Sequence, residues 1–140
     1  MQNVAEDITL PRVTQVVDDF YARVRQHPTL AGPFGRVTDW PAHLAHLTHF
    51  WWVTLGGKRY LDYRYNVPER HGAAGFTPAL LDDWLTLFRQ VVNAHLPPEL
   101  ADAWLARAER IGQSLTLMHE LGHFPRPATV GPIDIVAIPQ

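Results

Sequence analysis

The chain has 140 residues, no cysteine and a formal net charge of −2, with 46% hydrophobic and 19% charged residues. Such a chain folds as one globular domain that buries roughly two thirds of its unfolded surface. The lack of cysteine excludes disulfides, thiolate metal sites and a cysteine nucleophile, and the charge argues against nucleic acid or an anionic membrane as partner. We expect a cytoplasmic protein, because no apolar run reaches the ~20 residues of a membrane span and the amino terminus lacks a signal-peptide pattern.

The first two predicted helices carry a broad apolar face each. Residues 1–8 are polar and acidic, and no helix is predicted there. The first helix begins at Thr9-Leu10-Pro11 and ends before Pro28, since a hydroxyl cap followed by proline is typical of a helix start. The second is capped by Thr38 or Asp39 and stops at Gly56-Gly57. Its apolar face consists of Trp40, His43, Leu44, Leu47, Trp51 and Leu55.

Two more long helices follow. Thr77 and Pro78 predict the start of the third, with Phe76 able to contact Leu81 across the cap. Pro97-Pro98 separates it from a last helix over residues 99–120. Residues 124–140 read as a proline-rich tail, so we place the domain at residues 1–123. The predicted fold class is all-α, with a short additional helix bearing His71.

His71 is the first candidate for chemistry. It lies in a polar connector, between a helix with Trp51 and Trp52 and another with Trp84. A neutral histidine between aromatic-rich helices is suited to be an axial ligand of a flat iron cofactor. The competing interpretation is a solvated loop histidine.

Aromatic side chains on the inner helix faces are the second candidate. Phe20, Phe34 and Trp84 can line a cofactor or simply fill a core. Tyr21 and Trp84, however, each bring one polar atom into an apolar interior, where it needs a partner. A bound diatomic ligand would be such a partner.

The order and spacing of several segments resemble one family. These segments are Phe20-Tyr21-Ala22-Arg23-Val24-Arg25, Trp40-Pro41-Ala42-His43-Leu44, Tyr65-Asn66-Val67-Pro68-Glu69-Arg70-His71 and Asp83-Trp84-Leu85-Thr86-Leu87-Phe88. Over residues 9–120 the chain resembles a truncated haemoglobin, most like group III. The resemblance implies a shortened globin, with two pairs of helices crossed over a b-type haem (heme b).

The resemblance also implies roles for single residues. His71 would be the proximal iron ligand, Tyr21 and Trp84 distal hydrogen-bond donors, and His43 a distal gate. The remaining residues predicted to bind the cofactor are Phe20, Phe34, Leu47, Trp51, Arg70, Phe76 and Phe88. The implied function is binding of O2, NO and CO at a penta-coordinate iron. NO-detoxifying or peroxidase-like turnover would need an external reductase, and we expect a monomer or weak homodimer.

Two alternatives remain open at this point. One is a haem-free helical module for sensing or protein interaction. The other is a metallohydrolase with a zinc site built on His43 and His46, with His49 three residues further on. Because three-residue steps spread side chains around a helix, we expect His46 and His49 to be exposed or at an interface.

Overall fold

A computed structural model describes residues 3–35, 37–62 and 77–120, with side chains as far as residue 117. These residues form helices and no strand. The helices are α1 (Val4–Ile8), α2 (Leu10–Val24), α3 (Trp40–Thr54), α4 (Pro78–His95) and α5 (Pro98–Glu120). Helix α2 packs on α3, α4 packs on α5, and contacts between α2 and α4 join the two pairs. The predicted all-α class is confirmed.

Local capping signals explain where α3 and α4 begin. The Asp39 carboxylate accepts a hydrogen bond from the Ala42 N–H, and the Thr77 hydroxyl accepts one from the Leu80 N–H. Each helix also has proline in its first turn, where no backbone N–H is needed. Both starts were predicted because these signals act within three residues.

The start of α2 differs from the prediction. Thr9 precedes the helix, but its side chain makes no capping hydrogen bond and its φ of 82° is unusual for a residue with a side chain. The backbone turns sharply there because α1, which was not predicted, ends at Ile8. The Thr9 N–H donates to the Ala5 carbonyl at 2.8 Å. Thr9 therefore links two helices instead of opening a free one.

Helix α1 is attached to the far end of α3. The Asn3 side chain donates to the Gly56 carbonyl at 2.8 Å, and the Ala5 N–H donates to the Leu55 carbonyl at 3.1 Å. Ala5 and Ile8 are fully buried. A five-residue helix is too short to be stable alone, so tertiary packing holds it in place.

The core is dominated by stacked aromatic rings. Trp84 and Phe88 are nearly parallel, with ring centroids 4.9 Å apart, and Phe88 stacks on Trp51 at 5.3 Å. Trp104 completes this aromatic cluster, 5.8 Å from Trp51 and 5.6 Å from Phe88. Such pairs add about 0.5–1.5 kcal/mol each beyond the area they bury. The cluster therefore fixes α3, α4 and α5 relative to one another.

Some predictions lie outside the described residues. They are the short helix around His71, the contact of Phe76 with Leu81, and the tail over residues 124–140 with its boundary at residue 123. Within the described ranges, no helix is long and apolar enough to cross a membrane.

Candidate functional site

Two buried polar atoms meet where α2 packs on α4. Tyr21 is 1% exposed and Trp84 is 5% exposed. Within the described part of the chain, neither the Tyr21 hydroxyl nor the Trp84 indole N–H makes a hydrogen bond of ordinary geometry. Leaving such a group unsatisfied costs about 1–3 kcal/mol, so two together in an apolar core call for a ligand with acceptor atoms.

The protonation state of Tyr21 suits a donor. Burial raises the pKa of the Tyr21 hydroxyl well above its ordinary value. The Trp84 indole N–H lies close enough to oppose this rise in pKa, although the two atoms are not arranged as a hydrogen bond. Burial dominates, so Tyr21 keeps its proton at physiological pH. Both groups can therefore donate to the same acceptor.

Aromatic walls hold Tyr21 in this orientation. Phe20 lies edge-on to Tyr21 with ring centroids 4.8 Å apart, and Phe34 lies edge-on at 5.5 Å. Phe20 also contacts Trp84 at 5.2 Å and so links the two donors. Because the site is lined by rings, water is excluded and a hydrogen bond formed there is stronger than at the surface.

His43, on α3, lies next to Tyr21. It is 3% exposed, with its ring edge-on to Tyr21 at 6.3 Å and to Trp40 at 5.4 Å. Trp40 is half-buried, and the Arg25 guanidinium lies 4.6 Å above its ring. His43 and Trp40 therefore both lie next to Tyr21, and Trp40 is partly reached by solvent.

The other described residues predicted to bind the cofactor are all buried. Leu47, Trp51 and Phe88 are at most 2% exposed. Trp51 and Phe88 belong to the aromatic cluster, so each also has a role in packing α3 against α4. Whether they touch a cofactor stays a prediction.

A protein-family model described as bacterial-like globin matches residues 3–116. The chain belongs to the bacterial-like globins. The predicted truncated globin is confirmed, whereas its assignment to group III stays a prediction. No curated protein and no solved structure matches the chain at a significant level.

The described part of this globin fits the haem that its family implies. A haem needs an apolar, ring-lined environment with polar donors only where a ligand will lie, and the pair Tyr21–Trp84 inside its aromatic walls has that character. His71, Arg70 and Phe76, which were predicted for the proximal side, lie outside the described residues.

The expectation that His49 would be exposed or at an interface is wrong. His49 is 0% exposed, and its Nε2 accepts hydrogen bonds from the Tyr60 N–H at 3.1 Å and the Leu61 N–H at 3.2 Å. The expectation failed because the chain after α3 folds back over His49. His46 is half-buried. No group of three His, Cys, Asp or Glu suited to a metal ion occurs among the described residues.

The His95 side chain has a partner far away along the chain. Its Nε2 lies 2.9 Å from the Asp19 carboxylate, which also accepts from Arg23 at 3.0 Å. The hydrogen bond to His95 is the largest of the effects that lower the pKa of Asp19. The partners are 76 residues apart, so no local pattern could reveal them. The pair ties the end of α4 to α2.

Proposed function

We propose that this globin binds heme b through His71 and holds O2 or another diatomic ligand by hydrogen bonds from Tyr21 and Trp84. The observation that carries the proposal is the convergence of two buried, unsatisfied polar hydrogens inside an aromatic enclosure. The haem iron would supply the open coordination position at which the ligand binds.

The protein's own contribution is orientation and exclusion of water. Tyr21 and Trp84 would donate to the ligand without losing protons, because burial keeps the pKa of the Tyr21 hydroxyl high and an indole N–H is a donor only. The surrounding rings fix the two donors before the ligand arrives, so little side-chain freedom is lost on binding. This arrangement favours slow ligand release.

An alternative is supported by the same rings: an aromatic core of this kind also suits a haem-free sensor or interaction module. Haem titration of the purified full-length apo chain separates the two. We expect equimolar haem to give a Soret band whose position changes with O2, CO and NO, and peroxide added to the same sample tests for redox turnover. A chain that folds but yields no Soret band would leave the haem-free module as the better explanation.

His43 is expected to gate ligand access. Protonation would favour an outward rotamer, because a charged imidazole resists burial between Tyr21 and Trp40. Flash photolysis should therefore show ligand association accelerating as the pH falls from about 8 to about 5.5, and His43→Ala should be fast throughout.

His46→Ala is the matched control, since it removes a half-buried imidazole one turn further along α3. Its association rates should follow the wild type. Equal rates and equal pH dependence in His43→Ala and wild type would show that there is no gate.

A further inference from the structure

The segment that follows α3 is held against that helix by two side chains. His49 accepts the backbone N–H groups of Tyr60 and Leu61, as described above. One turn along, the Trp52 indole N–H donates to the Lys58 carbonyl at 3.0 Å. The backbone passes so close to Trp52 that a Cβ at Gly57 would overlap the indole ring. The segment over residues 57–61 is therefore held against α3 through its main chain, and its close approach to Trp52 requires glycine at position 57.

The chemistry of the His49 contact depends on its proton. An imidazole nitrogen can accept N–H groups only when it carries no proton, so His49 must be neutral with its hydrogen on Nδ1. A protonated Nε2 would face two donors as a third donor. The Tyr60 ring covers the imidazole edge-on, with centroids 4.6 Å apart.

The charged groups near His49 also favour its neutral form. Burial lowers the pKa of His49, and positive charge on Arg59, from the segment itself, and on His46, from α3, lowers it further. Tyr60 stays neutral, because burial raises the pKa of its hydroxyl. The folded segment thus selects the unprotonated imidazole.

We propose that His49 is a proton-sensitive positioning residue: its neutral imidazole holds the backbone of Tyr60 and Leu61, and its protonation releases the chain that leads to His71. The first part concerns only described residues. The second rests on the proposed function, in which His71, ten residues after Leu61, is the iron ligand. Release would loosen the point from which the connector carrying that ligand departs.

The sign of the pH effect follows from linkage. When the segment opens, His49 regains its ordinary pKa of about 6.5, whereas the closed form resists the proton. Above that pH both forms are neutral and opening is independent of pH. Below it, the equilibrium constant for opening rises by up to about tenfold for each unit of pH, until the closed form is itself protonated.

We call the contact of His49 with the Tyr60 and Leu61 amides the clamp. Amide hydrogen exchange of the full-length chain, measured without haem, tests it. Protection of the Tyr60 and Leu61 amides, corrected for intrinsic exchange, should fall up to about tenfold per unit below about pH 6.5 in the wild type. His49→Gln keeps an acceptor that does not titrate and should be protected without pH dependence, while His49→Leu should be unprotected throughout.

His95→Gln is the matched control, because it removes an imidazole that pairs with Asp19 and not with the segment. It should retain the wild-type slope at Tyr60 and Leu61. Nitrogen NMR of the wild-type His49 ring should independently show an unprotonated Nε2 above the transition. A flat wild-type profile, a protonated Nε2 at neutral pH, or the wild-type slope persisting in His49→Gln would overturn the clamp.

The link to His71 has a separate readout. In the haem-loaded protein, the rate of haem loss should rise over the same pH range, and more steeply in wild type than in His49→Gln. Identical haem loss in the two proteins, with exchange behaving as expected, would overturn the positioning of His71 and leave the clamp standing. A chain that binds no haem would refute the proposed function, while the exchange experiment would still decide the clamp.

Discussion

Tyr21→Phe is expected to accelerate O2 release by roughly 5- to 150-fold, because each hydrogen bond in a water-poor site can be worth about 1–3 kcal/mol. Phenylalanine fits the same space between Phe20 and Phe34, so the substitution removes a hydroxyl and little packing. The measurement is stopped-flow displacement of O2 by CO. The variant should also be no less stable than wild type, since it removes a buried polar group that lacks a partner.

Trp84→Phe should also accelerate O2 release, and it should in addition lower the stability of the fold. The Trp84 ring stacks on Phe88, so shortening it removes packing as well as the N–H. If both donors serve one ligand, the double variant will not show the sum of the single effects, because neighbours that share a partner are coupled.

Trp104→Phe is the control for the loss of packing. Trp104 is a fully buried tryptophan of the same aromatic cluster, and its indole N–H also lacks a partner among the described residues. It contacts Phe88 and Trp51 and is not paired with Tyr21. We expect it to lower stability and leave the O2 off-rate unchanged. A donor role would be refuted by wild-type off-rates in both Tyr21→Phe and Trp84→Phe, or by an equal acceleration in Trp104→Phe.

His71→Ala is expected to remove the proximal bond to iron. The resonance Raman iron–histidine stretch should disappear, and haem affinity should fall, because the remaining contacts are apolar and do not fix the iron. Added imidazole should restore part of the Soret spectrum by occupying the position of the missing side chain.

His46→Ala serves again as the comparison, since it removes a histidine of α3 that has no predicted contact with iron. The iron–histidine stretch and the haem affinity of this variant should equal those of the wild type. If His71→Ala retained both, another residue would be the ligand and the family-based assignment would be wrong.

Local signals accounted for the features that could be predicted from the sequence. Asp39 and Thr77 were recognised as caps because each bonds a backbone N–H within three residues. The apolar face of α2 was predicted because helical periodicity is a local property, and its members Val13, Val16, Val17, Phe20, Tyr21 and Val24 are all buried.

Features formed by distant segments escaped this reasoning. Helix α1 depends on the contact of Asn3 with Gly56, which is 53 residues away. The partner of His49 is main chain that folds back over α3, and backbone N–H groups leave no mark in a sequence. Residue types alone could not bring Tyr21 next to Trp84 either, and only the family resemblance placed them together.

The attachment of α1 to the end of α3 has a consequence for the order of folding. Helices α4 and α5 are joined by a short connection at Leu96–Pro97 and can pair as soon as they form, since closing a short loop costs little entropy. The contacts of Asn3 and Ala5 must instead wait until the chain has closed a loop of more than fifty residues. Helix α1 should therefore dock late and detach early. Partly unfolded molecules would then first lose the contacts of α1 with Leu55 and Gly56. These two residues directly precede the segment that His49 and Trp52 hold.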